Sequence, residues 1–119
     1  MRKVIKISEK EYSMKSSAYT QFKYKNDTGR KLLDDIQKIS KINQMGEEEQ
    51  ISNIEDVMEL LLRIAFIMIE EADEKQVSTF DDFLKNIDGM FDDTSWINEV
   101  IECAVAPIYR GGFQNIPQE

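Results

Sequence analysis

The chain has 119 residues, enough for one domain with a modest core and too few for two independent ones. With 41% apolar and 32% charged residues, five Gly and two Pro, it is neither a disordered chain nor a low-complexity scaffold. Its net charge of −8 is unevenly spread: Met1 to Lys31 carries nine Lys or Arg against three acids, net +6, whereas the remainder carries six against twenty, net −14, so that phosphate binding would have to rest on the front alone.

"KVIKI" places Lys3, Ile5 and Ile7 on one side and Val4 and Lys6 on the other, the two-residue period of a half-buried strand. The alternation returns in "YSMKS", where Tyr12 and Met14 share a face, and predicts a two-stranded hairpin. Two strands are marginal alone, so their apolar face must lie on a helix or on another sheet. Ser16 or Ser17 caps a short helix carrying Ala18, Phe22 and Lys25, with Tyr19 and Phe22 three residues apart, and its aromatics read as packing between hairpin and helices. "NDTG" stops it, Gly29 supplying the positive φ of a helix end.

"RKLLDDIQKISKI" predicts a second amphipathic helix, with Leu32, Leu33, Ile36, Ile39 and Ile42 on the apolar stripe and Asp34 and Asp35 off it. Asn43 to Asn53, with Gly46 and three glutamates, reads as a mobile loop with room for part of a helical turn. Ile54 to Glu74 reads as the longest helix, apolar nearly all round its middle, and therefore either central to the domain or covered by a partner. "STFDDFL" has the form of a capping box, Ser78 or Thr79 facing Asp81 or Asp82, and opens a helix with Phe80, Phe83, Leu84 and Ile87 inward, ended with the help of Gly89. A last helix opens at Thr94 or Ser95, turns Trp96, Ile97, Val100, Ile101 and Ala104 inward, and ends at Pro107. The expected fold is mainly α with a short N-terminal β-hairpin, an α+β domain of four to five helices over residues 1–110, with a flexible C-terminal tail at 111–119.

The chemistry of the chain is sparse. Without histidine the commonest general base and imidazole ligand are missing, and with one cysteine a zinc site or a Cys/His nucleophile cannot be built from this chain. "GRKLL" lacks the spacing of a phosphate-binding loop. Placing Gly89 at the sixth position of an EF-hand loop puts Leu84 first and Ser95 twelfth, where Asp and Glu are required. No catalytic, metal or cofactor-binding residue is therefore expected, and an enzyme is not expected. Cys103, in "VIECAVA", reads as a buried small apolar residue, compatible with a reducing cytoplasm. No signal-peptide core precedes the hairpin, and no run approaches the ~18 apolar residues of a membrane helix. Met14, Met45, Met58, Met68 and Met90 read first as core filling and, as a group, as adaptable binding surface.

Taken together, the hairpin, "SAYTQFKYKNDTGRKLLDDI", the apolar "LLRIAFIMIEEA", "STFDDFLKNID" and "WINEVIECAVAPIYRG" resemble the tail assembly chaperones of siphophages and prophages of Gram-positive bacteria, over roughly Lys3 to Arg110. The resemblance implies a protein of the bacterial host cytoplasm, absent from the mature virion. Such a protein coats and solubilises the tape measure protein during tail morphogenesis and is displaced as tail tube protein polymerises. It implies no cofactor, no nucleic acid and no membrane. Met58, Leu62, Phe66, Ile69, Phe91 and Trp96 are the candidate partner-binding residues, and the hairpin edge is a candidate for pairing between copies in a homo-oligomer. The alternatives are another tail structural or completion protein, or a small nucleic-acid-binding phage regulator using Lys23, Lys25, Arg30 and Lys31.

Overall fold

The computed structural model describes residues 1–41, 47–90 and 92–108. It is a small α+β domain: an N-terminal antiparallel hairpin followed by five α-helices among the described residues. Strand β1 (Arg2–Ile7) pairs with β2 (Lys10–Lys15) in the register Lys3 to Met14, Ile5 to Tyr12 and Ile7 to Lys10. The period-two expectation holds, since Ile5, Ile7, Tyr12 and Met14 are buried and Val4 is exposed. The turn is made by Ser8 and Glu9, both at positive φ (54° and 66°), the backbone that a two-residue hairpin loop requires.

Helix α1 (Ala18–Thr28) starts at Ser17, whose Oγ accepts from the Tyr19 N–H at 3.2 Å while the Thr20 hydroxyl accepts from the Ser17 N–H at 3.0 Å. Gly29 closes it at φ 73°, its N–H bonded to the Lys25 carbonyl. Helix α2 (Leu32–Ser40) buries Leu32, Ile36 and Ile39, as its stripe predicts, but it buries Asp35 as well. Ile42 and Met45 lie outside the described residues.

Helix α3 (Glu47–Ala72) begins seven residues before the expected start at Ile54, so the backbone from Glu47 to Asn53 is helical and not a loop. Glu and Gln are good helix formers, and carboxylates in a first turn meet the positive end of the backbone dipole, which outweighs the glutamate run as a loop signal. From Val57 to Ile69 nearly every apolar side chain of α3 is buried, and the helix touches β2, α1, α2 and both later helices. The girdle that called for a central position or a partner is covered by the chain itself.

A 3₁₀ turn at Glu74–Gln76 leads to α4 (Phe80–Lys85), capped by Thr79, whose Oγ1 accepts from the Asp82 N–H at 3.1 Å. Phe83 is buried edge-on to Tyr12 and against Phe66, and the Arg63 guanidinium lies 3.8 Å over the Phe80 ring. Leu84, about 100° round the helix from the buried Phe83, turns outward rather than inward, and because α4 stops at Lys85, Gly89 serves the following loop at φ 58° instead of ending the helix. Helix α5 (Ser95–Val105) buries Trp96, Val100, Ile101 and Ala104 as expected, with Ile97 half-buried. Its first N–H is taken by the Asp93 carboxylate at 2.9 Å, not by Thr94 or Ser95, and this bond holds the Asp93 carboxyl below the usual range. Residues 109–119, including the expected tail, lie outside the described residues.

Candidate interaction surface

The hydroxyl side chains of Thr20 and Tyr24 on α1 face inward. Tyr24 is fully buried and its hydroxyl donates to the Asp35 carboxylate at 2.5 Å. Arg30 meets the same carboxylate with two nitrogens, at 2.8 Å from Nε and 2.7 Å from Nη2. Burial pushes the Asp35 carboxyl up, and the Arg30 and Tyr24 hydrogen bonds outweigh it and leave the group below its ordinary value. Burial, and then the bond to Asp35, push the Tyr24 hydroxyl well above the ordinary phenol range, so Tyr24 stays a donor. One turn earlier, Ser17 and Thr20 donate to the two oxygens of Glu71 on α3, at 2.8 and 2.6 Å. These bonds fix which way α1 is rotated about its axis.

The consequence lies on the opposite face. Phe22 is 68% exposed and Tyr19 is 57% exposed, the two largest aromatic exposures among the described residues. The expectation that these aromatics pack inward is corrected. Phe22 and Tyr24 sit two residues apart, about 200° around the helix, so only one of them can meet the core. Tyr24 does, because its hydroxyl has a buried carboxylate to meet. The signal that could have found this is the repeat of hydroxyl side chains at Ser17, Thr20, Tyr24 and Thr28, which is itself a helical stripe.

The candidate partner-binding residues of the central helix lie elsewhere. Met58, Leu62, Phe66 and Ile69 are buried, as is Trp96, whose Nε1 donates to the Met90 carbonyl at 3.0 Å. They form core in this structure and offer no open surface. Phe91 lies outside the described residues. Met14 and Met68 are core with Met58, and Met90 is half-buried.

Three of the nine basic residues of the front are paired within the chain. Lys3 contacts Glu99 and Glu102 of α5 at 2.6 Å each, and those two bonds, Glu102's first, raise its pKa. Lys23 pairs with Asp27 at 3.2 Å, and Arg30 is committed to Asp35. A shallow cleft of about 280 Å³ between β2 and the start of α4 is lined by polar groups such as Lys10, Lys75, Asp82 and Asn86. Among the described residues no group of three or more metal-ligating side chains converges, and no helix is long and apolar enough to cross a membrane. Comparison with protein-family models, curated proteins and solved structures returns no match.

Proposed function

We propose that this protein is a phage tail assembly chaperone, which holds the tape measure protein soluble through reversible apolar contact and yields it as tail tube protein polymerises. The observation that carries the proposal is the outward pair Tyr19 and Phe22, two aromatics in water on a helix whose rotation is locked from the other side. Exposed aromatics of this kind anchor partner segments, and an amphipathic helix of the client presents apolar residues at matching intervals. Two further features support the role. The acidic body keeps many copies apart and soluble along one client, and the resemblance described above spans most of the chain.

The nucleic-acid alternative is disfavoured by the ion pairs of Lys3, Lys23 and Arg30, which neutralise part of the front it would need. A structural virion component remains the second reading only if the protein is found in purified particles by mass spectrometry.

The test is co-expression of the tape measure protein with the wild-type chain and with the double variant Tyr19→Ser, Phe22→Ser. Both side chains are exposed, so the variant should unfold within about 0.5 kcal/mol of wild type. The expected outcome is loss of soluble client at unchanged thermal stability. A stable variant that still solubilises the client overturns the proposed surface.

A further inference from the structure

The two edges of the hairpin are not equivalent. Met1 and Ser16 exchange both backbone hydrogen bonds, at 3.0 and 2.9 Å, and this sets the phase of the ladder. Lys3 with Met14, Ile5 with Tyr12 and Ile7 with Lys10 are the hydrogen-bonded pairs, so the amides and carbonyls of Arg2, Val4 and Lys6 on β1, and of Glu11, Ser13 and Lys15 on β2, point outward.

On β2 the central outward position is occupied. The Gln76 side chain accepts from the Ser13 N–H at 2.7 Å and donates to the Ser13 carbonyl at 3.0 Å, so one amide imitates a third strand. On β1 the outward backbone groups of Arg2, Val4 and Lys6 have no partner among the described residues. Val4 stands 62% exposed on the outer face between two cations. Arg2 also faces Lys15 directly across the ladder, like charge against like charge with no acid between them, whereas Lys6 faces Glu11 and lies in the field of Asp93.

A second copy of β1 fits this edge poorly. Antiparallel pairing about Val4 would set Arg2 of each copy opposite Lys6 of the other and add two more like-charge pairs to the same face. We propose that the open edge of β1 binds an extended segment of another protein by strand addition, with Val or Ile opposite Val4 and, two residues further on, Asp or Glu opposite Arg2. The main-chain bonds supply the attachment, and the incoming carboxylate, opposite Arg2 on the side away from Lys15, supplies the choice of partner. The site is separate from the aromatic pair on α1.

The probe is a synthetic peptide of about six residues, Thr-Val-Thr-Val-Thr-Glu, the length of an ordinary strand. It is titrated into the ¹⁵N-labelled full chain while amide chemical shifts are followed. Expected are saturating shifts at Arg2, Val4 and Lys6, and severalfold weaker binding when the peptide Glu is replaced by Lys, the size of one cross-strand charge pair. Arg2→Glu should reverse that preference. Val4→Pro should abolish the shifts and leave the hairpin intact, because the Val4 N–H makes no ladder bond. N-methylation of the second peptide valine removes the other bond of that pair, the one the Val4 carbonyl would accept, and tests the point independently of the variant's folding. The proposal is overturned by absence of shifts at millimolar peptide, by shifts indifferent to N-methylation or to the peptide's charge, or by concentration-dependent shifts at the same amides without peptide, which would assign the edge to a second copy.

Discussion

Asp35 shows how much one buried charge decides. The apolar stripe of α2 runs through Leu32, Ile36 and Ile39, and Asp35 falls between them on the same side, but a carboxylate is normally assigned to water. It is buried here because Arg30 and Tyr24 supply three close hydrogen bonds to its oxygens, partners that α1 and its exit turn bring from before α2. Its partners were in plain view in the sequence; their convergence was not, because it depends on the turn at Gly29. Folding holds the Asp35 carboxyl below its unfolded value, so the folded chain binds fewer protons here than the unfolded chain does. The stabilisation is complete above the ordinary aspartate range and is lost as pH falls through the depressed folded value. Asp35→Asn should therefore lower the thermal midpoint at neutral pH and flatten its decline below about pH 4, read from unfolding curves collected on both proteins.

At the scale of elements, the turn and the helix starts carry the clearest lessons. The hairpin was legible from alternation alone, the stop at Gly29 from its turn residues, and the caps at Ser17 and Thr79 to within one residue, each shared with the serine before it. The rotation of α1 was not, since Tyr19, Phe22 and Tyr24 offer competing aromatic faces and only the hydroxyl partners Glu71 and Asp35 choose between them. The early start of α3 escaped notice because "EEE" suits a solvated loop and a helix's first turn equally well. Ser8 and Glu9 hold the left-handed backbone without being glycine, but they are not alike. The Ser8 hydroxyl donates to the Asp88 carbonyl and accepts from the Asp88 N–H, tying the turn to the loop after α4, whereas Glu9 is exposed. Glu9→Gly should accordingly stabilise the fold by about 1 kcal/mol in urea denaturation, by removing the Cβ penalty at positive φ.

In the whole molecule, the hairpin and the five helices share one core, and α3 runs through it. Hydropathy alone correctly marked α3 as a helix that could not stand in water; it could not say whether the cover came from this chain or from another. The cover comes from the hairpin's inner face and from the neighbouring helices, and it reassigns Leu62 and Phe66 from surface to core. Leu62→Asp should therefore yield a chain without a cooperative thermal transition, since it buries an unpaired carboxylate, and a client-binding failure of that variant would report folding and not docking. The charge asymmetry of the chain resolves partly in the fold as well, where Lys3 near one end meets Glu99 and Glu102 near the other and links β1 to α5.

Cys103 gives this architecture a built-in clock. Its thiol is buried on α5 beside the Ser16 hydroxyl, 3.5 Å away, at the place where the hairpin ends and the helical part begins. Burial pushes the thiol up and away from the reactive thiolate, and the Ser16 hydrogen bond offsets only part of that rise. A disulfide reagent can thus modify the folded chain only when α5 lifts from the hairpin, and because the sequence holds one cysteine, every modification counts that single event. The pace of labelling under native conditions measures how often the hairpin and α5 part company, a motion that global unfolding curves average away.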